Sequence, residues 1–476
     1  MSREIRSFAT ICALMFSLGA LAFPAAGQEA PAGQPGAALA GAAQSGVGPD
    51  EGVQLEGDLE ITYQDFKDGR GRYLYSLKLS DGTRVPLRFL KEPPTHLLTG
   101  DHVRANGRLS GGSLILYSGS TNVKKTTGGS TTTSTSSTPV PYTFGAQSTL
   151  IILVNFQDDI VEPYMATDVQ NAFFTTANSF ITENSYGQAS LTGAVVGWYT
   201  IPDSVTTCNT SQIATDAKSA ATAAGVNLSN YTRYVYFFPY STACGFSGAS
   251  NVGGNPSQSW INGTLNTYVI DHELGHAFGL WHSHSLACGT TATICSSGTI
   301  VEYGDLLDTM GTPQGASPDH NAYQKERLGW LNYGASPSIQ TVTTSGTYTI
   351  NVYESGGPGP KALKVLKSAD PTTGAKTWYY LEARQAVGFD AFLLTDPQLY
   401  AQNETTGVLF HIGTDGNGNS ADLLDMTPAT PTHQGAYDPS LAVGQTFQDS
   451  AAGVTFTTKS VTSAGAAVSV QFSGGH

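Results

Sequence analysis

The sequence predicts an α+β chain of three folded parts: a small N-terminal β-barrel, a central unit with a mixed sheet and an active-site helix, and a C-terminal β-sandwich. Three observations predict it. Residues 51–118 alternate apolar and polar positions at the period of a strand. From 144 to 335 strand-like and helix-like segments take turns, and from 336 to 476 short strand-like segments recur between Gly, Pro and Asp turns. The 476 residues suffice for about three domains at ~150 residues each, every one large enough to bury a core.

Residues 1–27 have the layout of a secretory signal, with Arg3 and Arg6, an apolar run from Phe8 to Phe23, then Ala25, Ala26 and Gly27. Ser17 and Gly19 interrupt the run, which is short of a bilayer's span, so removal is expected rather than anchoring. Residues 28–50, rich in Ala, Gly and Pro, are expected to be disordered. The barrel reading over 51–118 rests on Tyr73 to Leu79, a turn at Ser80 to Thr83, Val85 to Leu90, Val103, and Leu114 to Tyr117. A Thr- and Ser-rich linker follows over 119–143, and its run from Thr126 to Thr138 has nothing with which to build a core.

The central unit opens on a buried-strand pattern, Thr149 to Phe156. A helix is expected from Thr167, with Thr167 and Gln170 as a capping box and Val169, Phe173, Ala177, Phe180 and Ile181 along one face. An alanine-rich helix ends near Gly225, and Tyr234 to Phe238 reads as another strand. Gly248 to Gly254 is the expected sheet edge, open to an extended peptide by strand addition. The C-terminal sandwich is drawn from Thr347 to Tyr353, Ala362 to Leu366, Trp378 to Ala383, Gly407 to Ile412, Val454 to Ser460 and Ala466 to Phe472. Asp415, Asn417 and Asn419 alternate like the opening ligands of a calcium loop. Ser420 and Met426 stand where such a loop needs Gly and Glu, so a plain polar turn is preferred to a structural Ca2+ site.

The chemistry concentrates in His272-Glu273-Leu274-Gly275-His276-Ala277-Phe278-Gly279-Leu280-Trp281-His282. On a helix, His272 and His276 lie four apart on one face and aim at a common point. Gly279 can take the positive φ that ends the helix and lets His282 return as a third metal ligand. Three imidazoles with one open position describe a catalytic Zn2+ site, whereas a structural site has four protein ligands. Glu273, rotated roughly 100° from His272, is too poorly aimed to ligate but well placed as general base for a metal-activated water. His284 and His320 are read as ordinary exposed loop histidines.

The pattern resembles the metzincin clan of zinc peptidases, whose members carry a methionine turn beneath the metal; Asp308-Thr309-Met310-Gly311 resembles that turn, with Met310 packing without ligating. Ser259 to Gly263, Glu302 to Asp305 and Asn321 to Trp330 narrow the resemblance, over Thr149 to Trp330, to gametolysin-like peptidases. The resemblance implies a metzincin-like zinc peptidase domain at 144–335, and makes 51–118 a propeptide. Some metzincins have a tyrosine two residues beyond the methionine; this chain has Thr312, leaving Tyr303 and Tyr323 as candidates to stabilise an oxyanion. Many are also held latent by a prodomain cysteine. None lies between Cys12 and Cys208, so another group must serve, with His96 and Asp101 as candidates.

Of five cysteines, Cys12 falls in the signal; Cys208, Cys244, Cys288 and Cys295 remain, four thiols suited to two disulfides in an exported protein. Three pairings are open, with Cys208–Cys244 and Cys288–Cys295 favoured. A net charge of −14 with only 13% charged residues argues against nucleic acid. The expectation is therefore a secreted, extracellular, monomeric zinc endopeptidase made as a zymogen and cutting polypeptides, with no membrane partner after signal cleavage. The competing readings are an adhesion protein with a vestigial zinc site and a zinc amidase acting on wall peptides.

Overall fold

A computed structural model describes residues 52–126, 139–311, 316–395, 403–430 and 438–473. The signal-like segment, residues 28–50 and nearly all of the Thr126–Thr138 run lie outside these residues. No helix among the described residues is long and apolar enough to cross a membrane.

The N-terminal segment supplies β1 (Val53–Phe66), β2 (Gly71–Lys78), β3 (Arg84–Phe89), β4 (His102–Ser110), β5 (Ser113–Leu116) and β6 (Val123–Lys125). Their pairings run β1–β2–β3–β5–β4 and return to β1, with β6 on the outer side of β4. The ring closes because β1 is long: its first half pairs with β4, Val53 opposite Gly107 through Asp58 opposite His102, and its second half with β2. Alternate residues Leu59, Ile61, Tyr63, Leu77, Val85 and Leu87 fill the interior, as a period of two requires. Residues 119–125, expected to be linker, instead form a helical turn and β6. The Asn122 side chain makes that turn, accepting from Ser118 N at 3.0 Å and donating to Asn106 O at 2.9 Å.

The central sheet consists of β7 (Gly145–Phe156), β8 (Ala189–Ile201), β9 (Arg233–Phe238), β10 (Phe246–Asn251) and β11 (Ser257–Asn262), in the order β8–β7–β9–β11–β10. The first four in that order are mutually parallel and β10 runs antiparallel to β11, giving a mixed sheet. The apolar run of β7 serves two layers. Leu150, Ile152, Val154 and Phe156 pack with the helix Thr210–Ala223, while Ile151 and Leu153 pack with the helices of 166–184 and 267–278. Val169, Phe173, Ala177, Phe180 and Ile181 are all buried there, although the segment Ala172–Ala177 is π-helical. The capping box is not formed: the helix starts at Ala166 with Met165 at the cap, which puts Thr167 inside the first turn.

Hydrogen bonding crosses both boundaries drawn from the sequence. β1 pairs antiparallel with β10 from Thr62 opposite Asn251 to Phe66 opposite Phe246, so barrel and central sheet are one eleven-stranded sheet and β10 is not an open edge. Likewise β12 (Ser283–Ala287) and β13 (Thr299–Val301) join the C-terminal strands, β12 running parallel to Ala421–Leu424. That sheet continues through Gly407–Thr414, Lys376–Glu382 and Ala362–Ala369 to Ile339–Val342. A second sheet of four strands, Gly346–Asn351, Gly465–Phe472, Val454–Thr462 and Thr446–Asp449, packs on it through a shared core including Tyr379, Phe410, Phe447, Phe456 and Val468.

Arg384, fully buried, ties this C-terminal layer to the segment around the methionine turn. Its Nε donates to Glu382 Oε1 at 2.9 Å, its Nη1 donates to Asp319 O at 2.9 Å and to Leu307 O at 2.5 Å, and Asp390 lies at 3.3 Å. Replacing it with methionine leaves two buried carboxylates without their counter-ion. Arg384→Met is expected to cost about 3–5 kcal/mol in urea unfolding; a cost below about 1 kcal/mol, the range of an exposed ion pair, would show that the network carries no strain-bearing role.

Candidate metal centre

The helix Thr267–Phe278 begins at Asn266, whose side chain accepts from Tyr268 N at 3.0 Å. Ile270, Leu274 and Phe278, four apart, go into the core beneath the sheet. The rest of the surface carries His272, Glu273 and His276, at 2%, 1% and 0% exposure. Gly279 ends the helix with φ 107°, and Leu280 N bonds back to Gly275 O at 3.0 Å, the six-to-one closure of a left-handed cap. Arg233 fixes the last turn, its Nη1 donating to Ala277 O at 2.7 Å. The chain then reverses into His282, and Ser283 N bonds Met310 O at 2.9 Å as β12 begins.

This reversal brings three ring nitrogens together. His282 Nε2 lies 3.2 Å from both His272 Nε2 and His276 Nε2. Each opposite nitrogen is occupied: His272 Nδ1 by Thr309 O at 2.7 Å, His276 Nδ1 by Leu280 O at 2.9 Å, His282 Nδ1 by Glu302 Oε1 at 2.5 Å. An Nδ1–H committed to an acceptor leaves Nε2 as a bare lone pair. Three such lone pairs in contact repel one another unless a cation lies among them, so the residues fit a metal ion, and the imidazole donor set suits zinc.

A fourth group joins them from the barrel. Asp65, the last residue but one of β1, places Oδ1 3.1 Å from His282 Nε2 and 3.2 Å from His272 Nε2, with Oδ2 3.7 Å from His276 Nε2. These four are the one such group of metal-capable side chains found among the described residues. Tyr303 donates to the same Asp65 Oδ1 at 2.7 Å. Tyr63 packs edge-on against His282, ring centroids 4.1 Å apart, and donates to Glu302 Oε1 at 3.0 Å.

Glu273 is buried, and neither carboxylate oxygen has a hydrogen-bond partner. Burial and the neighbouring Asp65 carboxylate push its carboxyl well above the usual range. Its space is provided by Gly248 of β10, where a Cβ would fall 2.2 Å from Glu273 Oε1. Burial lowers His276 to about 4, whereas Asp65 and Glu302 overcome burial at His282 and raise it to about 9. Met310 is fully buried beneath the helix, its Sδ so close that a Cβ on Gly275 would fall 2.3 Å away. The turn that carries it is closed by Asp308, which accepts from Met310 N and Asn321 N at 2.7 Å each.

The structure thus brings together His272, His276, His282, Glu273, Met310 and Tyr303. Of the other expectations, some are corrected and some are met. His284 is not an exposed loop histidine: it is buried in β12, 3.2 Å from Glu302 Oε2. Tyr323 is remote from the centre, donating to Thr414 O and Asn417 O in the C-terminal layer. Neither His96 nor Asp101 belongs to the cluster; Asp101 is engaged by Leu98 N and Lys125. His320 is a core residue paired with Asp308 at 3.2 Å. Asp415 accepts from Trp378 Nε1 and Asn417 from Asn419 N, as in a polar turn. Cys208–Cys244 and Cys288–Cys295 are disulfide-bonded. Thr312 lies outside the described residues.

Sequence reasoning missed Asp65, Glu302 and Gly248. Glu302 was within reach, since a metal-ligating histidine ordinarily needs an acceptor for its second nitrogen. For Asp65, between Gln64 and Phe66, there is no local signal at all.

Among known families, the sequence model of the gametolysin peptidase M11 family matches residues 155–396, just over half of the chain. The match runs past residue 335, into strands that the sequence reading assigned to a separate domain. No curated protein matches the chain.

The closeness of Met310 to Gly275 yields a test. Gly275→Ala must displace the methionine sulfur and is expected to cost about 1–3 kcal/mol in urea unfolding, with faster loss of bound metal on dialysis; unchanged stability and metal retention would show that the sulfur gives way freely.

Proposed function

We propose, because this chain belongs to the gametolysin peptidase M11 family, that it is a secreted zinc endopeptidase, made as a zymogen, that hydrolyses peptide bonds of extracellular proteins. The observation that carries this reading is the convergence of three imidazole Nε2 atoms next to the buried Glu273 carboxylate, for which no hydrogen bond is found.

A bound zinc ion would supply a Lewis acid for the scissile carbonyl and would acidify a water at neutral pH. His272, His276 and His282 would hold it, and their Nδ1 bonds to Thr309, Leu280 and Glu302 keep the rings from turning away. Glu273, aligned by its helix and with no hydrogen bond found to either oxygen, would take the proton of the attacking water and pass it to the departing amine. Tyr303 directs its hydroxyl at the place now held by Asp65 Oδ1; there it would donate to the carbonyl oxygen as negative charge builds on it. Met310 would support the rings from below without ligating.

Export is supported by the signal-like layout of residues 1–27 and by two disulfides. The zymogen reading is supported by the barrel lying against the centre, and by the Thr-, Ser- and Gly-rich composition of the connection after it, which suits a processing protease. The strands after residue 336 are read as a support for the methionine turn, through Arg384 and through His411, which meets Asp305 at 2.9 Å.

Two variants of material freed of the N-terminal barrel test the reading on a protein substrate. Glu273→Ala is expected to bind the parent's amount of zinc while kcat falls by about 10²–10⁴-fold; equal hydrolysis by variant and parent would remove Glu273 from the reaction. Tyr303→Phe is expected to lower kcat by roughly 10²-fold with KM little changed, and an effect on KM alone would reassign Tyr303 to substrate binding.

A further inference from the structure

We propose that Asp65 is the fourth protein ligand of the metal in the full-length chain, and that β1 is thereby an internal inhibitor whose carboxylate must leave before water or a substrate carbonyl can reach the ion. The proposal rests on the zinc-peptidase reading above and adds the group that keeps the enzyme latent.

Four independent features place Asp65 in that role. Its carboxylate meets all three ring nitrogens, with Oδ1 3.1–3.2 Å from two of them, and among the described residues is the one acidic side chain in the cluster. A carboxylate oxygen is a normal zinc donor, and its negative charge balances half that of the ion. The backbone is held as firmly as the side chain: β1 runs antiparallel along β10 with Thr62 opposite Asn251 and Asp65 opposite Gly248, the strand-addition geometry of a bound peptide. The pairing shifts register between Asp65 and Phe66, a local bulge of the kind that re-aims a side chain. Finally, Gly248 lies opposite Asp65 and also supplies the space for Glu273, so ligand and candidate base approach the same backbone position from two sides.

The surroundings complete the blockade. Tyr63, two residues before Asp65, stacks on His276 with ring centroids 5.1 Å apart, and no metal-site histidine is more than 2% exposed. Cutting the connection after β6 would not by itself open such a centre, because the barrel stays paired to β10 by backbone hydrogen bonds. Full activation then requires two events, a cut and release of β1 with exchange of one carboxylate oxygen for one water on the ion, whereas loss of the carboxylate alone would open the ion in part. The chain's lack of any cysteine between Cys12 and Cys208 fits this arrangement, since the carboxylate does the work a thiolate would otherwise do.

The experiment uses the uncut, full-length chain loaded with Co2+ in place of zinc. Visible absorption reports the ligand set, and acetohydroxamate serves as a probe for an open coordination position. Parent protein, Asp65→Asn, Asp65→Ala and the control Asp68→Asn, an exposed acid on the same hairpin, are compared. Expected is a spectrum in the parent and in Asp68→Asn that acetohydroxamate does not alter. In Asp65→Ala the spectrum changes and responds to acetohydroxamate, metal affinity measured against a competing chelator falls by at least roughly tenfold, and hydrolysis by the uncut chain rises above the parent's. Asp65→Asn, which preserves shape, should move in the same direction and shows that misfolding is not the cause. If Co2+ binds all four proteins with one spectrum, Asp65 is no ligand and the proposal is overturned while the zinc-peptidase reading stands. If none of the four binds Co2+ or zinc, the reading itself fails and the proposal falls with it. If Asp65→Ala opens the metal to acetohydroxamate but the uncut chain of neither Asp65 variant hydrolyses more protein than the parent, the aspartate is a ligand without an inhibitory role and latency is overturned.

Discussion

The structure depends on the crowding of three buried imidazoles, the Nε2 of His282 lying 3.2 Å from those of both His272 and His276. Left to themselves they would turn outward or take up protons. They do not turn outward because Thr309 O, Leu280 O and Glu302 each hold the far side of a ring. Those acceptors come from three different places in the chain, so the electrostatic demand for a cation is written into backbone paths well beyond the helix that carries two of the histidines. A helix that ended anywhere but Gly279 would point His282 elsewhere, and the centre would lose its third member.

The same constraint explains why elements distant in sequence are fused rather than merely adjacent. The turn bearing Thr309 and Met310 must be rigid if it is to orient His272 and fill the space under Gly275. It has little secondary structure of its own. Its rigidity is borrowed from Asp308, from the buried pair Lys325–Asp319 at 2.7 Å, and from Arg384, which reaches Leu307 O out of the C-terminal layer. The family match extending to residue 396 is consistent with this dependence: strands through Lys376–Glu382 belong to the peptidase unit in a structural sense, whatever their position in the chain suggests.

On the opposite side, the barrel and the central sheet share β1. An isolated barrel would close on itself and leave β10 bare; here the last residues of β1 overshoot the ring, pair with β10, and deliver Asp65 and Tyr63 onto the histidines. The small size of Gly248 makes that overlap tolerable, because any side chain at this position would displace Glu273. Closure of the site and continuity of the sheet are therefore a single structural fact.

Sequence by itself determined what depends on local periodicity and on short-range stereochemistry. The alternation of β1 to β5, the doubly buried β7, the helical spacing of His272 and His276, and the positive φ of Gly279 each follow from forces acting within a few residues. The methionine turn was legible only through the family resemblance, and of the two disulfides only Cys288–Cys295, seven residues apart, had a local reason. Only the tertiary structure decided which strands would share a sheet, that β10 would be covered, that residues 119–125 would pair rather than link, that Tyr303 and not Tyr323 would face the centre, and that Asp65 would be the group opposite the three histidines. Such pairings are fixed by register and by hydrogen-bonding edges that lie far apart along the chain. An aspartate at the end of a strand looks the same in sequence whether it meets water or a ring of imidazoles.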